Sequence, residues 1–162
     1  MSDDVSEEPV DPDAARRVMA GMAWQDLIRA NGPALAFRLL SLMRRELGEV
    51  YPAALSSLHA AWVADDAADD ELAVTCRLSA AVNIRAALDC GQIEEGKRLT
   101  VNVQLVDVLR RAGEWGRAGH LVSELLADPP AGFIGEILQF QTSLISRKDC
   151  SGYSCADVSS TG

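Results

Sequence analysis

An all-α fold of about seven helices is predicted by three observations. Apolar residues recur at steps of three and four through most of the chain, as in Leu55, Leu58, Trp62 and Val63. Glycine and proline fall between those segments, at Asn31-Gly32-Pro33, Gly48, Gly91, Gly113 and Pro129-Pro130. No stretch alternates cleanly enough to hold as a strand. The one candidate, Leu99 to Leu105, alternates Leu and Val with Thr100, Asn102 and Gln104. Thr100, Gln104, Asp107 and Arg111 nevertheless fall at steps of four, three and four, one stripe along a helix, which decides for helix.

Residues 1 to about 11 carry Asp3, Asp4, Glu7, Glu8 and Asp11 with no base and read as a disordered acidic tail. Asp11-Pro12 is a helix start, Asp as cap and Pro in the first turn. The first helix is expected to run to about Ala30, with Val18, Met22 and Leu27 towards the core. The second, from about Pro33 to Leu47, has apolar residues around much of its circumference and is expected to be central, with Arg38, Arg44 and Arg45 on its solvent side. The third starts near Pro52 and stops before the acidic run Asp65 to Glu71. Asp69, Asp70 and Glu71 fit the N-terminus of the next helix, where negative charge meets the positive end of the dipole. A calcium loop is not expected there, because the glycine and terminal glutamate of an EF-hand frame are missing.

The fourth helix, about Asp70 to Cys90, is rich in small residues, among them Ala73, Ala80, Ala81 and Ala87, which let helix axes approach closely. Gly91 turns the chain into the fifth, about Ile93 to Ala112. Gly113 leads to the sixth, which Pro129-Pro130 ends. The seventh, about Phe133 to Lys148, carries the stripe Ile134, Ile137, Leu138, Gln141, Leu144 and Ile145 and suits the cap of a helical stack. The tail from Asp149 to Gly162 reads as loosely ordered, with Tyr153 and Val158 able to dock back. Residues 12–148 are thus read as one helical domain.

The second half of the central hairpin, Gly113, Trp115, Ala118, Val122, Leu125 and Pro130, resembles a tetratricopeptide repeat, a helix-turn-helix unit of about 34 residues. The resemblance covers residues 99–130, about a fifth of the chain. Its first half departs from the family, with Asn102, Leu105 and Val106 where an aromatic and a Leu-Gly pair belong. Helices like these also follow a zinc ribbon in some uncharacterised bacterial proteins, and no zinc ribbon occurs in this sequence. The resemblance implies antiparallel helix pairs and a concave, peptide-binding face that includes Thr100, Val103, Asp107, Arg110 and Arg111. Arg98 and Asn102, one turn apart, resemble the basic-plus-asparagine pairs with which some family members hold a peptide carboxylate. Asn83 lies on the preceding helix, within reach of Asn102 across the Gly91 turn. The candidate protein-binding residues are therefore Asn83, Arg98, Asn102, Asp107 and Arg110. The bland alternative pairs Asn83 and Asn102 with each other or with backbone.

Composition narrows the classes. The chain has 162 residues, 48% of them apolar, enough for a core without disulfides. Its formal net charge of -9 argues against nucleic acid and against an anionic membrane as main partner. The acidic start has no apolar segment of the kind a signal peptide needs, so a cytoplasmic location is expected. Cys76 and Cys90, about 21 Å apart along one helix, cannot bridge each other, and buried free thiols are expected; Cys150 and Cys155 could close a small loop under oxidation, which a cytosolic setting disfavours. Histidine occurs only at His59 and His120. His120 and Glu124 form half a metal site with no second half in view, and neither a phosphate loop nor a serine-nucleophile motif is present. No catalytic residue, metal or cofactor is assigned. The expected function is a protein-protein interaction or scaffold module with a protein or peptide partner. The alternatives are a self-associating structural subunit, or an enzyme or metal-binding helical protein without a recognisable motif.

Overall fold

The computed structural model describes residues 11–159; the acidic segment 1–10 and residues 160–162 lie outside it. Among the described residues there are nine α-helices, one 3-10 turn and no strand. They are α1 (Pro12–Ala20), α2 (Met22–Ala30), α3 (Leu35–Glu46), α4 (Val50–Asp66), α5 (Asp70–Asp89), α6 (Arg98–Arg111), α7 (Trp115–Leu126), α8 (Phe133–Ser146) and the short α9 (Cys155–Ser159). A 3-10 turn, Glu95–Lys97, precedes α6. Each helix packs chiefly on its neighbour in sequence, and α4 on α5 is the most extensive pair.

The local sequence explains the ends of these helices. Asp11 accepts from the Asp13 N–H, and Asp69 accepts from the Leu72 N–H at 3.0 Å, so both aspartates cap as expected. At Gly113, φ is +78°. The Gly113 N–H bonds the Arg110 carbonyl and the Glu114 N–H bonds the Leu109 carbonyl, the paired bonds of a Schellman ending. An L side chain rarely adopts that φ, which is why glycine stands at the turn. The N-terminus of α4 has no side-chain cap of its own. Gln92, from the turn after α5, supplies one by accepting from the Val50 and Tyr51 N–H groups at 3.0 and 3.1 Å.

The core centres on α4, α5 and α6. Ala53, Ala54, Ala60, Ala61 and Ala64 of α4 are fully buried, as are Ala80, Ala81, Ile84 and Ala87 of α5. Small side chains on both faces let the two axes close in, as the composition of α5 leads one to expect. Leu105, Val106 and Leu109 of α6, Ala118 and Val122 of α7 and Leu138 of α8 continue the same cluster. The stripe of α8 is spent inside the chain, with Leu138 and Leu144 fully buried.

Two expectations are corrected. The first expected helix is two, because Gly21 takes an extended ψ of 150° and breaks it. Glycine is the weakest helix former after proline, and the Gln25 amide bridges the break by donating to the Met19 carbonyl. Met22 then turns outward and is 81% exposed. The second correction concerns α3. Of its residues only Ser41 is fully buried, and Leu40 is 40% exposed. α3 packs extensively on α4 alone, so its wide apolar circumference does not place it at the centre.

Gly135 marks a close approach that sequence spacing does not announce. A Cβ there would meet the Pro130 carbonyl oxygen at 2.5 Å. Gly135→Ala is expected to cost about 1–3 kcal/mol by overpacking the start of α8. Urea unfolding checks this, and a variant within about 0.5 kcal/mol of the parent contradicts it.

Candidate functional site

Because α3 and α5 both lean on α4 without packing on each other, a cleft opens between them. Its cavity measures about 190 Å3. Arg38, Ser41, Leu42 and Arg45 come from α3, and Ser57 of α4 forms the floor. Thr75, Cys76, Ser79 and Asn83 line the α5 wall, and Leu27 of α2 closes one side. The three serines form a connected row. Ser41 Oγ lies 2.7 Å from Ser57 Oγ, which lies 3.2 Å from Ser79 Oγ, and Ser41 Oγ donates to the Ala53 carbonyl at 2.9 Å.

Asn83 is the anomaly in this wall. It is 1% exposed, and its Nδ2 has no hydrogen-bond partner. A buried amide donor without an acceptor costs about 1–3 kcal/mol, so it is normally paired. Arg38 and Arg45 add a second anomaly. Among the described residues ten of the fifteen basic side chains make an ion pair; Arg38 and Arg45 do not, and neither do Arg85, Arg147 and Lys148. The cleft thus offers positive charge, and its wall encloses one unused buried donor. Burial pushes the Cys76 thiol above its ordinary pKa, against the opposing pull of Arg38 and Arg77, so this thiol stays protonated at neutral pH. Cys76 is buried as expected, whereas Cys90 and Cys150 are exposed free thiols. Phe37, His59 and Trp62 form an aromatic row on α3 and α4, with His59 5.3 Å from Phe37 and 5.0 Å from Trp62 between ring centres.

A larger concavity of about 320 Å3 lies between α5, α6 and α7, over Leu105, Leu109 and Leu121. Its rim holds Arg85, Arg117, His120 and Glu124. Arg117 pairs with Glu114, and His120 faces Glu124 at 3.6 Å, both well exposed. No buried polar group is left unmet there, so volume alone does not make it the better site. Among the described residues no three His, Cys, Asp or Glu side chains converge as metal ligands.

The five residues expected from sequence do not form one surface. Arg98 donates to the Leu88 carbonyl at 3.0 Å and faces Glu95, while Asn102 donates to the Arg98 carbonyl at 2.9 Å. Asn102 is therefore satisfied by its own helix and does not bond Asn83. Arg110 is fully buried, and its guanidinium serves the fold. It donates to Gln141 Oε1 at 2.7 Å, to Asp107 Oδ1 at 2.7 Å, and to the carbonyls of Asp149 and Ser151. Gln141 also donates to Asp107 at 3.0 Å, so Asp107 belongs to the same network. The strap from Asp149 to Ser154 is held over this network. Tyr153 packs edge-on against Phe140 and donates to Asp149, whose carboxyl is held down to about 2 first by that hydroxyl and then by the Ser151 N–H. Of the five, Asn83 lines the cleft, and the other four line neither the cleft nor the concavity between α5, α6 and α7.

Arg38, Arg45 and the serine row were not separable from an ordinary solvent face by spacing. The trace they leave in the sequence is chemical. Arg38 interrupts the longest apolar-rich run, and Ser41, Ser57 and Ser79 recur on faces otherwise built of Ala and Leu.

No family model matches the chain, and no curated protein or solved structure is significantly similar to it.

Proposed function

We propose that this chain is a protein-interaction module that receives a segment of a partner protein in the cleft between α3 and α5. The observation that carries this reading is the buried Asn83 amide, left without an acceptor on the wall of an open cleft. The unpaired Arg38 and Arg45 at the rim support an acidic partner. The size of the cavity favours an anchoring group of a larger partner, since sites for free small ligands are usually about 300–1,000 Å3. A self-associating subunit has less support, because the apolar stripe of α8 is buried within the chain at Leu138 and Leu144. The module is placed in the cytoplasm, in keeping with its acidic composition. Among the described residues no helix is long and apolar enough to cross a membrane.

The test is site-specific photo-crosslinking in the native cell, with the photoreactive residue at Thr75 beside the cleft and a control at Gly116 beside the other concavity. A discrete adduct is expected from Thr75 and not from Gly116. Reversing both rim charges, Arg38→Glu with Arg45→Glu, is expected to lower its yield at least about tenfold, as like charges meet across the contact. An adduct unchanged by the reversal in a folded protein overturns the cleft as the binding surface.

A further inference from the structure

The cleft between α3 and α5 is lined by two arginines and by no acid, and neither arginine has an ion-pair partner among the described residues. The other unpaired bases have acid at hand. Arg85 shares its concavity with Glu124, and Arg147 and Lys148 directly precede Asp149. Arg38 and Arg45 are seven residues apart on one face of α3, about 10 Å along the helix. Leu42 stands between them, and Leu27 of α2 lines the same cleft.

The chain itself carries a segment whose pattern matches this wall. Residues 1–10, MSDDVSEEPV, hold four acids and no base. The acids come as two pairs, Asp3-Asp4 and Glu7-Glu8, four residues apart, which is about 13 Å along an extended chain. Val5 falls between the pairs. The segment leads into α1, and α1 lies against the end of α3 that carries Arg45. Ala14, Arg17 and Val18 share a small pocket with Glu46 and Leu47, the residues that follow Arg45. Ten residues reach about 33 Å at full extension, enough to enter at that end and run the length from Arg45 to Arg38.

We propose that residues 1–10 are an internal occupant of the cleft, with Glu7 and Glu8 at Arg45, Val5 on Leu42 and Leu27, and Asp3 and Asp4 at Arg38. The direction follows from the tether, since the acids nearest α1 meet the arginine nearest α1. Tethering makes a weak attraction sufficient, because a short linker holds the segment at an effective concentration on the order of millimolar. Resting on the reading of the cleft as the partner's site, the segment competes with the partner for the same two arginines. An outside ligand then displaces it by carrying the same pattern, two acidic pairs flanking a small apolar side chain.

The experiment places photoreactive benzoylphenylalanine at Val5 in the purified full chain and maps the adducts by digestion and mass spectrometry. Adducts are expected within one molecule, to α3 or to the α5 wall, with a yield that dilution does not change. Neutralising the four acids, Asp3→Asn, Asp4→Asn, Glu7→Gln and Glu8→Gln, is expected to lower that yield at least about fivefold, and so is Arg38→Gln with Arg45→Gln. In the cell, the four-acid variant is expected to raise the partner adduct from Thr75 about threefold, the gain for a cleft that its own segment fills about two-thirds of the time. Val5 adducts outside the cleft, adducts between two molecules, or cleft adducts indifferent to neutralisation overturn this inference, while a partner adduct from Thr75 still stands by itself. A partner adduct that neutralisation leaves unchanged overturns the competition. Charge-dependent cleft adducts from Val5, with no partner adduct from Thr75 in either the parent or the four-acid variant, uphold the internal contact and overturn the partner reading instead.

Discussion

Asp65→Ala is expected to destabilise the chain by about 3–5 kcal/mol, the range for leaving a buried charge without its partner. Asp65 lies at the C-terminal end of α4, where the helix dipole disfavours an acid. Two arginines make the position tenable. Arg77 of α5 and Arg111 of α6 both donate through Nη2 to the same carboxylate oxygen, Arg111 at 3.0 Å. The side chain of Arg77 is 7% exposed. Without Asp65, that guanidinium keeps its burial and its like-charged neighbour and loses its counter-ion. The loss is also topological, since this one carboxylate ties three consecutive elements of the array. Urea unfolding of Asp65→Ala and of the double variant Asp65→Ala/Arg77→Met checks the cause. The double variant is expected to recover much of the loss, because the stranded charge has gone. A double variant no more stable than Asp65→Ala would remove the stranded charge as the explanation.

Arg110→Met is the second large effect, expected at about 3 kcal/mol. Hydrogen bonds to a charged group contribute about 1.5–3 kcal/mol each, and Arg110 makes four. The total is held down because the Asp107 carboxylate keeps partial access to water and can be hydrated once the arginine is gone. Two of the lost acceptors are the carbonyls of Asp149 and Ser151, so the strap over α6 and α8 is released at the same time. Amide hydrogen exchange at Ser151 and Ser154 is expected to accelerate in Arg110→Met more than exchange at Leu105 in the core. Arg110→Lys keeps the charge but not the planar fork of donors, and is expected to behave like the methionine variant in exchange. Equal acceleration at strap and core would mean that Arg110 acts only through global stability.

The contrast between these two arginines and the pair at the cleft bears on function. Arg77 and Arg110 are each matched to acceptors from other elements, and the fold consumes their donors. Arg38 and Arg45 lie beside a cavity with no such match, in a chain with an excess of acid. Asn83 on the opposite wall is the buried counterpart of the same situation. Among the described residues two buried side-chain donors lack an acceptor, Arg111 Nε and Asn83 Nδ2, and the second belongs to a residue of the cleft wall.

The sequence by itself determined the helices and most of their ends. Asp11 and Asp69 cap, Gly48, Gly91 and Gly113 turn, and the alanines of α5 bring it close to a neighbour, because each effect acts within one or two turns of its own residue. The all-α class follows from the same local rules. What only the tertiary structure decided is which polar side chains are spent on the fold and which remain. Arg110 and Arg38 look alike in sequence, each directly after an apolar residue inside a helix. Arg110 finds Gln141 and Asp149 more than thirty residues away, and Arg38 finds none among the described residues. Periodicity marks the apolar side of a helix, but not how many neighbours press on the rest of it. That is also why α3 reads as central and lies beside the core, and why Asn83, of the five expected binding residues, is the one that lines the cleft. Burial and pairing between distant elements are properties of the packed array, and one helix at a time does not contain them.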